Sequence, residues 1–187
     1  MIIGFIGTGK ISSSIISGIF KSKLKFKKIY ISSRNKNIAK KLSSKFKTIK
    51  IAKDNQDIIH KSSIIFLAVT PKVGSKILPK LNFPKNKKLI SLISTIKLDN
   101  LKKITKNKNI VRAIPLPPIE IRKGPIVIYP PNKVVKKLFN NLGFVIEIKN
   151  EKQSYKFWST ASIMASYYEI LNTSSQWLIK KGINKNL

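Results

Sequence analysis

Short apolar runs alternate along the chain with stretches in which apolar residues recur every three to four positions. Runs of up to six residues rich in isoleucine, valine and phenylalanine are typical of strands buried on both faces of a parallel sheet. We expect strands at residues 2–6, 28–32, 49–51, 64–69, 88–93, 110–114, 124–129 and 144–148.

The segments between these runs have the periodicity of helices. Ile11, Ile15, Ile16 and Ile19 lie on one face of a helix predicted over about residues 10–22. Similar patterns predict helices from about residue 36, briefly from residue 54, around residues 98–104 and over residues 134–142. Strands that alternate with helices predict an α/β fold with a doubly wound, mostly parallel sheet. The prolines from Pro115 onward predict an extended connection.

Beyond Glu151, a single long helical pattern continues to Gly182, a residue typical of helix ends. Apolar residues lie around much of its circumference, so the sheet alone cannot bury this helix. We expect either further chain or a second subunit to cover it, and we favour the second case, a homo-oligomer formed through the C-terminal helix. The pattern divides the chain into residues 1–150, the α/β domain, and residues 151–187, the start of a helical domain.

The formal net charge of +31 raises the possibility of nucleic-acid binding. Proteins that read nucleic acids usually concentrate arginine and interleave exposed aromatic residues. Here only Arg34, Arg112 and Arg122 are arginines, and lysines occur in every segment. The distribution favours a bias in composition and predicts no specific nucleic-acid site.

The absence of cysteine excludes disulfides, thiolate catalysis and cysteine-ligated zinc. Seven scattered carboxylates and one histidine, His60, predict no metal site. No apolar stretch reaches the roughly 18 residues of a membrane span, and the first strand begins too early to leave room for a cleavable signal. We therefore expect a cytoplasmic protein without a membrane partner.

The first strand ends at Gly7-Thr8-Gly9 and is followed at once by a helix. In this context the first glycine permits a tight turn and the second lets the backbone approach a pyrophosphate. The N–H groups at the start of the helix, including those of Lys10 and Ile11, then point at the anion. The segment predicts a dinucleotide site in a Rossmann-like domain, although a plain strand-to-helix turn is the alternative.

Several separated segments together resemble the pyrroline-5-carboxylate reductases, which reduce a cyclic imine with a nicotinamide cofactor to make proline. The resemblance covers roughly residues 1–150, in matching order and spacing. The matching segments are Ile3–Gly9, Ser33–Asn35, Asp54–Gln56, Phe66–Pro71, Leu89–Ile93, Val111–Pro115 and Leu138–Gly143.

The end of the second strand decides which nicotinamide cofactor is preferred. An NAD enzyme usually has an acidic residue there, whereas this chain has Ser33, Arg34 and Asn35. A hydroxyl, a forked guanidinium and an amide favour the 2′-phosphate of NADPH, with NADH as a possible substitute. The alternative is a solvated loop in which Asn35 caps the next helix.

The resemblance assigns further contacts to the cofactor. Asn55 would contact the adenosine ribose, although Asp54-Asn55 is equally typical of a helix start. Ala68, Val69, Thr70 and Pro71 would lie at the carboxyl end of the fourth strand, beside the ligand crevice of such sheets. Ala113 and Pro115 would close the nicotinamide side, and Arg112 between them could instead pair with a carboxylate.

The chain departs from the family at Leu116, where an asparagine is usual, and at the glycine- and serine-rich loop that binds the substrate carboxylate. In place of that loop stand residues 160–168, in which Thr160, Ser162 and Tyr168 are weak candidates to contact an imine or carboxylate. The resemblance implies reduction of 1-pyrroline-5-carboxylate to L-proline by NADPH. The departures leave open a cofactor-binding protein with another substrate or no activity.

Overall fold

The computed structural model describes residues 1–184, with residue 165 described by its backbone alone. An eight-stranded sheet runs through this part in the order β3-β2-β1-β4-β5-β6-β7-β8. Strands β1 to β6 are mutually parallel, β7 is antiparallel to β6, and β8 is parallel to β7. The strands are β1 (Ile2–Ile6), β2 (Lys28–Ile31), β3 (Ile49–Ile51), β4 (Ile64–Leu67), β5 (Lys88–Ser91), β6 (Ile110–Pro115), β7 (Pro125–Tyr129) and β8 (Phe144–Glu147).

Helices follow the strands, as the periodicity of the sequence predicts, and one further helix that was not predicted forms at Pro71–Ile77. The α-helices are α1 (Lys10–Lys21), α2 (Lys36–Lys45), α3 (Asn55–Lys61), α4 (Pro71–Ile77), α5 (Leu98–Thr105), α6 (Lys133–Phe139) and α7 (Glu151–Lys180), and 3₁₀ helices span Leu78–Lys80 and Pro117–Ile121.

Two hydrophobic clusters cover the two faces of the sheet. Residues of α1, α2 and α6 belong to one cluster and residues of α3 and α5 to the other. The rings of Phe5 and Phe66 stack with centroids 4.5 Å apart across β1 and β4. Strands buried on both faces explain why their sequences are apolar runs without alternation. The predicted α/β, Rossmann-like, doubly wound fold with a long C-terminal helix is confirmed.

The connection after β6 differs from the predicted extended segment, because Pro117–Ile121 forms a 3₁₀ helix. Proline favours the first position of a helical turn, since its fixed φ suits the turn and its missing N–H is not needed there. The turn is held by packing: Ile119 is fully buried, and its carbonyl oxygen would lie 2.4 Å from a β-carbon at Gly18.

The reversed direction of β7 follows from the length of the same connection. Residues 116–124 join β6 to β7, and a parallel pair needs a crossover of a dozen or more residues. The chain therefore turns back on itself, and Ala113 pairs with Ile128 in an antiparallel register. Helix α6 then supplies a full crossover between β7 and β8, which are parallel.

The fourth strand is two residues shorter than predicted and ends at Leu67. Helix α4 begins at Pro71, and Thr70 precedes it in an extended conformation with ψ 155°. Because a residue before proline is disfavoured in the helical region, α4 does not begin before Pro71. The backbone of residues 68–70 is thereby placed at the carboxyl edge of the sheet.

Arg112 on β6 is 1% exposed and makes an ion pair inside the first unit of the chain. Its guanidinium donates to the carbonyl oxygens of Ser94, at 2.8 Å, and Ile96, and lies 3.1 Å from the Glu151 carboxylate. The same carboxylate accepts a hydrogen bond from the backbone N–H of Leu98 at 2.8 Å. The alternative in which Arg112 pairs with a carboxylate is confirmed, and the pair holds the segment after β5.

The chain divides into two units, Met1–Glu151 and a second unit that begins at Lys152. The second unit consists largely of α7, whose end is closed by Gly182 at φ 89°. The N–H of Ile183 donates to the Leu178 carbonyl at 3.1 Å, as expected for a helix that ends at glycine.

Within residues 1–184, each helix is too short or too polar to cross a lipid bilayer. In this same part of the chain, no three His, Cys, Asp or Glu side chains come together in a way that could hold a metal ion.

We expect Glu151→Gln to lower the free energy of unfolding by about 2–4 kcal/mol, because it leaves the buried Arg112 charge without its carboxylate. Urea unfolding followed by circular dichroism measures the change. Lys102→Gln is the matched control, since it removes one partner of the exposed Lys102–Asp99 pair and should leave the unfolding midpoint unchanged. Equal midpoints for Glu151→Gln and the wild type would contradict a stabilising role for the buried pair.

Candidate functional site

Gly7 lies where β1 leaves the sheet, in a backbone conformation that strongly favours glycine. Its φ is +102°, a region that other residues rarely adopt. A β-carbon at this position would stand 2.3 Å from the carbonyl oxygen of Ala68. Gly7 is therefore required by the packing of the loop after β1 against the loop after β4.

Gly9 differs from Gly7, because its backbone is ordinary and its surroundings are open. Its φ is −106°, and no atom lies within 4 Å of where a β-carbon would be. Gly9 precedes the first turn of α1, and no side chain caps the N–H groups of that turn. The open space in front of uncapped N–H groups fits an anion that approaches the backbone closely.

A network of hydroxyl groups holds the glycine turn against the end of β2. The Thr8 hydroxyl donates to the carbonyl oxygen of Ser32 at 2.8 Å, and the N–H of Gly7 donates to the Ser32 hydroxyl at 3.0 Å. On the other side, the buried Ser12 hydroxyl donates to the Gly7 carbonyl at 2.7 Å. Sequence reasoning missed Ser32, whose position directly after an apolar run at a strand end was the available signal.

A hollow of about 590 Å³ opens in front of the glycine turn. Its volume lies within the range of small-molecule sites in proteins. Its walls come from the loops after β1, β2 and β4 and from the first turns of α2 and α4, at the carboxyl edge of the sheet. The lining residues are Gly7, Thr8, Gly9, Arg34, Asn35, Lys36, Asn37, Ala68, Val69, Thr70 and Val73.

A second hollow of about 440 Å³ shares Gly7, Arg34, Val69 and Val73 with the first. The two hollows therefore form one crevice, and Arg34 lies at the boundary between them. The residues that line only the second hollow are Ile6, Ser32, Asn55, Lys72, Lys76 and Ile77.

The crevice brings together nine of the cofactor residues expected from the sequence. These are Gly7, Thr8, Gly9, Arg34, Asn35, Asn55, Ala68, Val69 and Thr70. The other expected residues do not line either hollow, and their cofactor contacts stay predictions: Lys10, Ile11, Ser33, Pro71, Ala113 and Pro115. Among these, Ala113 is 1% exposed inside β6, whereas Ser33 is exposed.

Two of the crevice residues lie at the start of a helix. The Asn35 side chain accepts a hydrogen bond from the N–H of Ile38 at 3.2 Å, so the predicted helix cap is confirmed, while its cofactor contact stays a prediction. Asn55 is the first residue of α3, which Asp54 caps by accepting from the N–H of Asp57 at 2.7 Å. Because Asp54 provides the cap, the Asn55 side chain is not needed for it and lines the second hollow of the crevice.

Sequence reasoning missed the cationic side chains on the crevice walls, Lys36, Lys72 and Lys76. In a chain with lysine in every segment, none of them stands out. The only available signal was the spacing of Lys72 and Lys76, which puts both on one face of a helix.

Thr160, Ser162 and Tyr168 lie on α7 in the second unit. The Thr160 hydroxyl donates to the Phe157 carbonyl at 2.9 Å, and the Ser162 hydroxyl donates to the Ser159 carbonyl at 2.7 Å. Tyr168 is 45% exposed. A role for these hydroxyls in substrate binding stays a prediction.

Comparison with known structures finds the same fold in several reductases. A 1-pyrroline-5-carboxylate reductase from Streptococcus pyogenes is 23% identical, and the alignment covers 100% of this chain and 73% of that chain with a TM-score of 0.76. The pyrroline carboxylate reductase of Plasmodium falciparum, solved with NADP bound, is 20% identical, with coverages of 98% and 71% and a TM-score of 0.78. A reductive aminase from Aspergillus terreus, in complex with NADPH4, cyclohexanone and allyl amine, is 12% identical, with coverages of 99% and 68% and a TM-score of 0.68.

A search among curated protein sequences found no match. A family model described as NADP oxidoreductase coenzyme F420-dependent matches residues 2–95, which include the glycine turn, Arg34, Asn55 and the loop after β4. Together with the fold, this match confirms the oxidoreductase family expected from the sequence. The chain belongs to the NADP oxidoreductase coenzyme F420-dependent family.

Proposed function

We propose that the protein is an NADPH-dependent reductase of a small cyclic imine, with 1-pyrroline-5-carboxylate as substrate and L-proline as product. The observation that carries the proposal is the crevice itself, in which an open glycine turn, Arg34 and the loop after β4 line one hollow. The family match and the shared fold with pyrroline-5-carboxylate and imine reductases support it.

The residues of the crevice fit a nicotinamide dinucleotide. The backbone at Gly9 and the first turn of α1 would hold the pyrophosphate, because the space that a side chain would fill is open. Arg34 would bind the 2′-phosphate of the adenosine ribose. Among residues 1–184, no carboxylate lines the crevice to select the free hydroxyls of NAD. The apolar side chains of Val69 and Val73 would contact the adenine ring.

The bound cofactor supplies the hydride, so the protein needs to align the substrate and exclude water rather than provide a catalytic triad. The backbone of residues 68–70 borders the crevice at the edge of the sheet. Ala113 and Pro115 would close the nicotinamide side, next to the segment that Arg112 holds in place. Thr160, Ser162 and Tyr168 remain the candidates for contacts to the imine or its carboxylate.

A second candidate is an NAD(P)-binding protein with another substrate or without activity. One observation favours it: α7 continues as a helix from Glu151 to Lys180, through the position at which the resemblance places a substrate-binding loop. Both candidates require the same cofactor site.

The exposed face of α7 supports a homo-oligomer as part of the proposal. Ile163, Ile170 and Trp177 are spaced by seven residues and are 66%, 64% and 59% exposed. A repeat of seven is the pattern by which helices pack along each other. A second copy of the chain would cover these side chains.

A cytoplasmic location and a role in proline biosynthesis complete the proposal.

We expect the purified chain to oxidise NADPH when 1-pyrroline-5-carboxylate is added, and to use NADH at least about tenfold less efficiently. Loss of nicotinamide absorbance measures the rate. Cyclohexanone with allyl amine, taken from the aminase comparison, tests an alternative imine. Tight NADPH binding without turnover of either substrate would contradict the reductase and favour the second candidate.

We expect Gly9→Ala to weaken NADPH binding by at least about tenfold, because the new methyl group occupies the space in front of the α1 backbone. The free energy of unfolding of Gly9→Ala should change by no more than about 1 kcal/mol, since the only structural loss is that alanine is a poorer helix cap than glycine. Gly7→Ala should instead cost at least about 2 kcal/mol of folding free energy, through strain and overlap with Ala68. Calorimetric titration and urea unfolding separate the two effects. Unchanged NADPH affinity in Gly9→Ala would refute a pyrophosphate at this turn.

We expect the wild-type chain to sediment as an oligomer and Ile170→Asp to shift it toward the monomer mass, because a buried carboxylate would oppose the interface. Asn172→Asp, on the opposite side of α7, is the control and should leave the mass unchanged. A monomeric wild type at micromolar concentration would show that α7 does not pair in this way.

A further inference from the structure

Helix α4 presents two lysines to the second hollow of the crevice. Lys72 and Lys76 are one turn apart, both are exposed, and both line the hollow that also contains Arg34 and Asn55. Three cationic side chains from two different elements therefore surround one space. Sequence reasoning assigned no role to either lysine.

This arrangement lacks a compensating charge within residues 1–184. Like charges one turn apart on a helix repel each other, and neither lysine nor Arg34 forms an ion pair in that part of the chain. The carboxylates at the start of α3 do not line this hollow: Asp54, the N-cap, accepts from the N–H of Asp57, and Asp57 pairs with Lys61 at 2.9 Å. An anionic group in the hollow would relieve the repulsion.

The rest of the lining indicates what kind of anion would fit. Ile6, Val69, Val73 and Ile77 supply apolar surface, and Asn55 supplies an amide. An adenine ring with a phosphate on its ribose combines a flat apolar body with an anion. A phosphate monoester carries about −1.5 to −2 charges at pH 7 and three acceptor oxygens. A single guanidinium fork engages two oxygens, so charge and an acceptor remain for ammonium groups.

We propose that Lys72 and Lys76 form a second wall of the 2′-phosphate site, opposite Arg34, and determine the preference for NADP(H) over NAD(H). This inference rests on the proposed cofactor function. The two lysines act as specificity-determining residues, because they meet a phosphate that NAD(H) lacks. They leave the pyrophosphate contacts at the glycine turn unchanged.

The test uses two fragments of the cofactor, adenosine 2′,5′-bisphosphate and adenosine 5′-monophosphate, titrated into the full chain by calorimetry at fixed ionic strength. The variant is Lys72→Gln/Lys76→Gln. Its matched control is Lys133→Gln/Lys137→Gln, another exposed pair one turn apart on α6, outside the crevice. Both variants lower the net charge equally.

In the wild type, we expect the bisphosphate to bind more tightly than the monophosphate. The α4 variant should lose about 10- to 100-fold of its affinity for the bisphosphate and change by less than about threefold for the monophosphate. Lys72→Arg/Lys76→Arg keeps the charge and should keep most of the preference. Arg34→Ala should lower the same preference, and the α6 control should not.

Two results would overturn this inference without affecting the proposed function. One is an α4 variant that still prefers the bisphosphate as strongly as the wild type. The other is an equal loss of bisphosphate affinity in the α6 control, which would show an effect of net charge. Absence of any preference in the wild type would instead remove the NADPH site, and with it both proposals. Circular dichroism of each variant confirms that the exposed substitutions leave the fold intact.

Discussion

The close approach of the Gly7 backbone to the Ala68 carbonyl is the constraint on which the crevice depends. A β-carbon at position 7 would lie 2.3 Å from that oxygen, so the loops after β1 and β4 can meet only because the residue is glycine. The Ser32 hydroxyl, which accepts from the Gly7 N–H at 3.0 Å, joins the end of β2 to the same point. Three loops are thereby brought to one edge of a parallel sheet, where ligands of such folds bind.

Charge has different consequences in the interior and on the surface of this chain. The buried Arg112 is matched by Glu151, and the pair orders the segment after β5 by accepting from and donating to its backbone. The many exposed lysines have few carboxylates to pair with, because the chain has only seven acidic residues. Their dispersed charge attracts anions without specificity. The grouping of Arg34, Lys72 and Lys76 around the second hollow differs from this dispersed charge, because it depends on how the chain folds and not on the number of lysines.

Most elements of the first unit could be predicted from local patterns, and the reasons for the failures are physical. The run from Ile2 to Ile6 and the period of Ile15 and Ile19 report the backbone preference of their own segments. The connection after Pro115 could not be predicted, since its 3₁₀ turn is held by contact with Gly18, about a hundred residues away. In the crevice, the glycine turn and Arg34 were identifiable, whereas Ser32, Lys72 and Lys76 were not, because serine and lysine occur throughout the chain.

The sequence by itself determined the alternation of strands and helices, the position of the glycine turn and the long helix after Glu151. These features depend on residues close in sequence, whose periodicity and turn preferences are readable directly. Only the tertiary structure decided that β7 runs antiparallel, that Arg112 pairs with Glu151, and that Gly7 is needed for packing while the space beside Gly9 is open. Such properties arise from contacts between residues far apart in sequence, which exist only once the chain has packed.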